Sequence, residues 1–203
     1  MFAFFKRTFD ILISLIFLIV LSPLFLILAI VIKRDGGSAF YTQRRIGKNG
    51  KVINVYKFRS MRPNADRLED FLTPEELEQY RKDYKLEHDP RITKVGHVLR
   101  KTSLDELPQL LCILKGDMSL IGPRPVLDDE LKGNYSDEQI ERLLSVRPGL
   151  TGYWQAYSRN ESSYLDGDRQ RQELYYIDHV SLWLDIKIIF KTIGRVVSGK
   201  GAN

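Results

Sequence analysis

A single cysteine, Cys112, among 203 residues excludes an intrachain disulfide and fits a reducing compartment. Histidine is nearly as scarce: His88, His97 and His179 are scattered without metal-ligand spacing, which argues against zinc chemistry. There is no glycine-rich P-loop, no G-x-G-x-x-G fingerprint and no internal repeat, so the common signatures of nucleotide-binding α/β folds and of solenoids are missing. Acidic residues are outnumbered, 26 Asp and Glu against 31 Lys and Arg, giving a net charge of +5 and a pI of about 9.2. That balance calls for acidic partners: anionic lipid, phosphates or nucleic acid.

What the chain does have is one long apolar run, residues 11–32 (ILISLIFLIVLSPLFLILAIVI). A spanning helix needs about 20 apolar residues, so the run is long enough to cross a bilayer. Ser22-Pro23 sits near its middle. Proline removes a backbone donor, clashes with the carbonyl four residues back (here Ile19), and pushes Ser22 away from helical dihedrals. Both ends are basic, with Lys6 and Arg7 before the run and Lys33 and Arg34 after it. Positive charge marks the cytoplasmic side, so a hairpin that enters and leaves by one face suits these charges better than a crossing. A kinked spanning helix stays open, because membrane helices tolerate proline when neighbours satisfy the freed carbonyl. A cleaved signal peptide fits less well: the run exceeds the roughly 7–15 residues of such a core, and no clear small-x-small cleavage site follows. A bent, one-sided membrane helix on a small basic protein points to chemistry at the cytoplasmic lipid surface. The expected division is residues 1–37 as membrane helix and linker, and residues 38–203 as one cytosolic domain with its own core.

Asp35-Gly36-Gly37-Ser38 reads as the linker. Two β-prone runs, Phe40–Ile46 and Val52–Phe58, flank Gly47-Lys48-Asn49-Gly50, and Asn-Gly between such runs is the strongest short-range hairpin signal. Thr73-Pro74-Glu75-Glu76 opens a charged, solvated helix reaching to about residue 87: Thr73 caps, Pro74 suits the first helical position, and Glu76 completes a capping box. Residues 104–114 read as another helix, with Leu107, Leu110, Leu111 and Leu114 at core-facing spacing and Gly116 as its stop. Ile121-Gly122-Pro123-Arg124-Pro125 and Arg147-Pro148-Gly149-Leu150-Thr151-Gly152 are rigid turns that each hold an arginine, and residues 168–177 read as helical. In the last element, residues 182–197, Leu182, Ile186, Ile189, Ile193 and Val196 share a face. Trp183, Ile188, Phe190 and Val197 widen it, and Lys187, Lys191 and Arg195 lie opposite. Core packing is the usual explanation of such a stripe, but basic charge, a tryptophan and an anchored chain favour a helix lying in the headgroup layer. The expected fold class is α+β, mainly helical, with a re-entrant N-terminal membrane helix, a small β-hairpin and amphipathic interfacial helices around one compact cytosolic domain.

Arg100-Lys101-Thr102-Ser103-Leu104-Asp105-Glu106-Leu107-Pro108 is the best catalytic candidate. Ser103 followed by Glu106 fits a capping box and puts Asp105 and Glu106 in a first helical turn, where the dipole and free amides favour negative charge. Two adjacent carboxylates held ionised there can bind a hard cation such as Mg²⁺, which takes one or two protein carboxylates plus substrate phosphates. One of them can attack phosphorus as a nucleophile. The plainer alternative is that both only cap the helix, and Pro108 favours a helix beginning nearer to itself. Lys57 and Arg59 leave the second strand, Arg91, Lys94 and Arg100 precede the carboxylates, and Arg124 and Arg147 are each pinned beside prolines. Pinning lowers the entropy lost in fixing a guanidinium on a phosphate. Each cation alone is an ordinary surface charge; converging on two carboxylates, they describe a site for Mg²⁺ plus a diphosphate.

With these residues the chain resembles the bacterial monotopic phosphoglycosyl transferases, also called bacterial sugar transferases. The resemblance covers essentially the whole chain: the Ser22-Pro23 break, Tyr56-Lys57-Phe58-Arg59-Ser60-Met61, Asp89-Pro90-Arg91-Ile92-Thr93 and the stretch from Arg100 through Gln109. It continues through Lys115-Gly116-Asp117-Met118-Ser119-Leu120-Ile121-Gly122-Pro123-Arg124-Pro125, Arg147-Pro148-Gly149-Leu150-Thr151-Gly152 and Ser181-Leu182-Trp183-Leu184-Asp185-Ile186-Lys187-Ile188. It implies a re-entrant helix that enters and leaves on the cytoplasmic face of the bacterial inner membrane. It also implies transfer of a phosphosugar from a UDP-sugar to polyprenol (undecaprenyl) phosphate, with Mg²⁺, as a first membrane step of glycoconjugate or exopolysaccharide assembly. Asp105 carries over as the nucleophile, Glu106 as its support in metal and phosphate binding, and Arg124 as a substrate-binding arginine. Lys57, Arg59, Arg91, Arg100, Arg147 and Arg159 are further substrate-binding candidates. Gln155-Ala156-Tyr157-Ser158-Arg159-Asn160 departs from relatives that carry glycine before the arginine, in a loop suited to contact the sugar. Region 66–87 and the ending look like the undecaprenyl-phosphate galactose or glucose phosphotransferase branch. That branch often carries further N-terminal helices and a domain, so the chain is expected to be a minimal catalytic unit. No nucleic-acid partner is expected, and a homodimer is left open. Two rival classes are a membrane-anchored basic nucleic-acid-binding protein, for which no recognition motif is present, and a membrane scaffold without chemistry, which would tolerate substitution of Asp105 and Arg124.

Overall fold

Pro23 divides the apolar run. The computed structural model describes residues 2–83, 86, 88–158, 164 and 166–198. In it α1 (Phe2–Val20) and α2 (Ser22–Ile32) are bent from each other by 62°. Leu21 (φ −89°, ψ 1°) takes the break rather than Ser22, which already begins α2 with Pro23 in its first turn. Proline leaves the Ile19 carbonyl without its helical donor, and the Ser22 hydroxyl donates to that carbonyl at 2.8 Å instead. No single helix among the described residues is long and apolar enough to cross a membrane; the bent pair meets that length and composition only when taken together. Phe4, Phe9, Leu12 and Ile16 of α1 and Leu26 and Ile30 of α2 face outward.

The rest is mainly helical around a small hairpin. β1 (Phe40–Ile46) and β2 (Val52–Phe58) pair antiparallel as expected, in register from Phe40↔Phe58 to Ile46↔Val52. Asn49 (φ 56°) and Gly50 (φ 73°) turn the connection through the left-handed region, which is why an Asn-Gly pair stands there. α3 (Pro74–Asp83) opens with the expected capping box: Glu76 N–H donates to Thr73 Oγ1 at 3.3 Å, and Thr73 N–H to the Glu76 carboxylate at 2.9 Å. Its expected end near residue 87 lies outside the described residues. α4 (Lys94–Lys101) is capped by Thr93, whose hydroxyl accepts the Gly96 N–H at 2.9 Å.

The helix expected over residues 104–114 is two pieces, a 3₁₀ turn at Leu104–Glu106 and then α5 (Gln109–Lys115), which Gly116 ends. Pro108 lies between them and has no N–H to carry the ladder through. Ser103 adopts φ 56°, in the left-handed region, and its side chain caps nothing, so the Ser103–Glu106 capping box does not form.

The two proline turns are partly strands. β3 (Ser119–Ile121) and β4 (Gly149–Thr151) pair in parallel, Ser119 with Gly149 and Ile121 with Thr151. Three-residue strands are too short for alternation to show in a sequence. Their crossing needs glycine: a Cβ on Gly149 would lie 2.1 Å from the Gly122 nitrogen. Gly149→Ala is therefore expected to cost about 1–3 kcal/mol through overpacking and to displace the Arg124 turn. An unchanged thermal midpoint would contradict this.

α6 (Asp128–Asn134), α7 (Asp137–Leu144), α8 (Tyr153–Tyr157), α9 (Asp168–Asp178) and α10 (Leu182–Ser198) complete the chain. The expected helix over 168–177 is thus α9. On α10, Trp183, Phe190 and Ile193 are exposed as expected, but Ile188 is fully buried. Together with Leu184, one turn before, it packs into the main core with Val55, Ile113, Met118 and Tyr176, so it belongs to an inner face and does not widen the outer one.

The inner sides of α1 and α2 are docked on this body. α1 turns its few polar groups inward: Lys6 pairs with Asp185 at 2.6 Å, and Arg7 donates to the carbonyls of Ile113 and Leu114 at 2.7 and 3.2 Å. α2 packs through Phe25, Leu28, Ala29 and Ile32 on Phe58 and Leu99, with Phe25 edge-on to Phe58 at 5.2 Å between centroids.

Candidate functional site

Three short pieces of chain meet at one cleft: the inner face of the hairpin, the 3₁₀ turn before α5, and the turn after β3. Alternation along β2 sends Lys57 to the same side as the buried Ile53 and Val55, and Arg45 comes from the facing strand, paired with Ile53. Lys57 Nζ reaches Glu106 Oε1 at 3.1 Å. Burial pushes the Lys57 ammonium down, and the charges of Glu106 and Asp105 push it back. Asp105 is buried, 8 % exposed. Its charge is felt also by Arg100, which burial pushes down and the charges of Asp105 and Asp89 raise. The Arg100 guanidinium donates to Ser60 Oγ at 3.0 Å. Lys57, Glu106 and Arg124 line a shallow, open cleft together with Arg45, Gln109 and Gln155.

Behind the cleft lies a polar wall. Glu130 accepts from Arg45 at 3.2 Å and from the Tyr164 hydroxyl at 2.6 Å, and pairs with Arg169 at 3.1 Å. The Arg169 guanidinium sits over the Trp154 and Tyr164 rings, 4.2 and 4.0 Å from their centroids. Arg45 is pushed down to about 10, first by burial and next by the charge of Arg124. Guanidiniums crowded closely enough to repel one another are eased by an anion between them. Among the described residues the Arg124 guanidinium makes no hydrogen bond or ion pair; the Trp154 ring lies 6.0 Å away. Its main chain is held instead, the Arg124 N–H donating to the Glu173 carboxylate at 3.2 Å. The residue is thus fixed by its backbone, with its charge available at the cleft.

Burial pushes the Glu173 carboxyl up to about 7, against the opposing pull of Arg169 and Arg124. Its folded value lies above the ordinary 4.5, so the folded state holds the proton more tightly. The stability this contributes is complete below about pH 4.5 and is lost as pH rises through about 7. Glu173→Gln is expected to flatten that decline. Thermal midpoints measured across this range with the same slope in both proteins would contradict it.

The other expected cations are placed elsewhere. Arg59 bonds the carbonyls of Ile32, Ser38 and Met61 at 3.1, 2.5 and 2.9 Å, clamping the α2–β1 connection. Arg91 is buried in a two-pronged pair with Asp89 at 2.8 and 2.6 Å, against the Tyr80 ring. Arg147 is exposed and donates to the Gly116 carbonyl at 2.8 Å, closing the end of α5. Arg159 lies outside the described residues. Arg45, Glu130, Trp154, Arg169 and Glu173 were not singled out from the sequence, whereas Gln155, in the loop expected to contact the sugar, does line the cleft. Arg169 and Glu173, four apart on α9, carried a signal: oppositely charged residues at helical spacing, facing inward on a helix read only as a helix.

The donor set suits Mg²⁺. Among the described residues no cluster of three or more His, Cys, Asp or Glu could hold a metal. Mg²⁺ asks for less, keeping waters and substrate phosphate oxygens beside one or two carboxylates, and Asp105 and Glu106 are the adjacent pair that would serve.

The chain belongs to the bacterial sugar transferase family, which it matches over residues 1–199. It is 49% identical over 201 residues to the exopolysaccharide production protein ExoY of Sinorhizobium fredii, covering 97% of this chain and 87% of that one. It is 46% identical over 202 residues to the undecaprenyl-phosphate galactose phosphotransferase of Salmonella typhimurium, and 44% identical over 202 residues to the UDP-galactose-lipid carrier transferase of Erwinia amylovora. These two alignments cover 98% of this chain but 42% of each relative, so the chain spans less than half their length.

Proposed function

We propose that the chain transfers a hexose 1-phosphate from a UDP-sugar to polyprenol (undecaprenyl) phosphate, giving UMP and a polyprenyl-diphosphate-linked sugar for glycoconjugate or exopolysaccharide assembly. The supporting observation is the cleft itself, where Lys57, Arg45 and Arg124 surround Glu106 beside the buried Asp105: a carboxylate nucleophile next to cations suited to a diphosphate. The names of the Salmonella and Erwinia relatives point to the same donor and acceptor chemistry.

In the first step an Asp105 carboxylate oxygen attacks the β-phosphorus, the bond from that phosphorus to the bridging oxygen breaks, and UMP departs with the bridging oxygen. Lys57 and Arg124 stabilise the charge that gathers on the phosphoryl oxygens. In the second step a phosphate oxygen of the lipid attacks the same phosphorus, and the Asp105 carboxylate is released. Asp105 and Glu106 would hold Mg²⁺, which when bound supplies positive charge on the diphosphate.

The bent pair α1–α2 is read as re-entrant, entering and leaving through the cytoplasmic leaflet of the inner membrane. The 62° bend, the outward apolar side chains and the exposed Lys33 and Arg34 at the exit of α2 support this, as does the outer face of α10 with Trp183 and Phe190. Such placement keeps the cleft at headgroup height, where a lipid phosphate emerges.

The test is a panel of UDP-galactose, UDP-glucose and UDP-N-acetylhexosamines assayed with undecaprenyl phosphate and Mg²⁺. At least one donor is expected to give a solvent-extractable labelled lipid and an equal amount of UMP. Failure of every donor in membranes containing folded protein would contradict the proposal.

A further inference from the structure

Asp10 is the one acidic residue of α1, and it is buried, 3 % exposed, with no role in the chemistry above. Its carboxylate accepts from the Ser119 hydroxyl at 2.8 Å and from the Leu120 N–H at 3.0 Å. Both donors belong to β3, the strand that runs into the Arg124 turn. A buried carboxylate is a costly way to dock a helix, since any apolar side chain of fitting size would pack without losing hydration. What the carboxylate adds is registry, two directional bonds to consecutive residues of one strand.

From there to Arg124 the backbone is fixed at every step. Ser119 N–H donates to the Pro148 carbonyl at 2.9 Å, Gly122 N–H to the Thr151 carbonyl at 3.0 Å, and the Pro123 carbonyl accepts the Gly149 N–H at 2.8 Å. Arg124 N–H is taken by Glu173, and prolines stand on both sides of the arginine. A shift of β3 is therefore passed on to the Arg124 backbone, from which the guanidinium reaches the cleft. One turn earlier on α1, Arg7 holds the carbonyls of Ile113 and Leu114 on α5, the helix that follows Asp105-Glu106 after Leu107 and Pro108. Three residues apart on one helix, Arg7 and Asp10 thus grip the carriers of both halves of the site.

We propose that Asp10 is a positioning residue for phosphoryl transfer, fixing the register of β3 against α1 and with it the placement of Arg124. This rests on the function proposed above. A displacement of about 1 Å at a phosphoryl-transfer site costs on the order of 100-fold. The test is a double-mutant cycle on the first half-reaction, capture of labelled sugar phosphate from UDP-hexose without lipid. Asp10→Ala is expected to lower kcat/KM about 10- to 100-fold. Asp10→Asn recovers part of that loss, because an amide oxygen still accepts the Leu120 N–H and the Ser119 hydroxyl can reverse. In an Arg124→Ala background Asp10→Ala costs less than about threefold, because its effect passes through a side chain already gone. General destabilisation would lower both backgrounds by one factor, and that additive result overturns the proposal, as does full activity of Asp10→Ala. Where Asp10→Ala does not accumulate folded, Ser119→Ala removes one of the two bonds and is judged by the same cycle. If the unsubstituted protein captures no sugar phosphate from any donor, the proposed function itself has failed; if it does and the cycle is additive, only the positioning role has.

Discussion

Asp105→Asn is expected to abolish turnover, with at least about a 10³-fold loss in kcat, because an amide of the same shape cannot serve as the nucleophile. The fold is expected to survive. Asp105 sits in a single 3₁₀ turn whose path is set by its neighbours, the left-handed Ser103 before it and Pro108 after it. Neither depends on the charge of the side chain. The Lys57–Glu106 pair at 3.1 Å remains intact in the variant, so the cation opposite the carboxylates keeps its partner. Far-ultraviolet circular dichroism and the thermal midpoint separate loss of chemistry from loss of structure. Normal turnover by folded Asp105→Asn would remove the nucleophile from the mechanism.

Arg124→Ala is expected to lower kcat/KM by about 10²- to 10³-fold, the usual scale for removing one preorganised charge from a developing oxyanion. The backbone of residue 124, anchored through Glu173, does not need the guanidinium, and the ring nearest it is 6.0 Å away. Stability should therefore change little while activity falls. Arg147→Ala supplies the contrast. That arginine also stands beside a proline, but its guanidinium closes the end of α5 on the Gly116 carbonyl, so its removal is expected to act through the thermal midpoint. Equal activity losses in the two variants, at equal stability, would show that the cleft does not single out Arg124.

The contrast between these two arginines shows where a sequence can be read and where it cannot. Local signals translated well: Asn49-Gly50 turned the hairpin, Thr73 and Glu76 closed a capping box, and Pro23 broke the apolar run. Each is settled by residues within four positions of one another. The Ser103–Glu106 box obeyed the same pattern and did not form, because Pro108 cut the ladder and Lys57, a residue 49 positions away, took the Glu106 carboxylate. Proline beside arginine signalled a rigid turn in both cases, but only long-range packing decides that one faces the cleft and the other a helix end. Arg59 and Arg91 were equally basic and equally near the motif; the carbonyls of a connection claimed one, and Asp89 the other. The wall of Arg45, Glu130 and Arg169 joins three distant segments; the Arg169–Glu173 spacing on α9 hints at an inward charged face, but nothing in the sequence brings Arg45 and Glu130 to it.

The most direct measurement uses UDP-hexose carrying ³²P in its β-phosphate and no lipid acceptor. Label is expected on the protein in up to one equivalent, recovered on the peptide that contains Asp105, with an equal release of UMP. UMP that appears only when donor and polyprenol phosphate are both present, with no label on the protein, would contradict it.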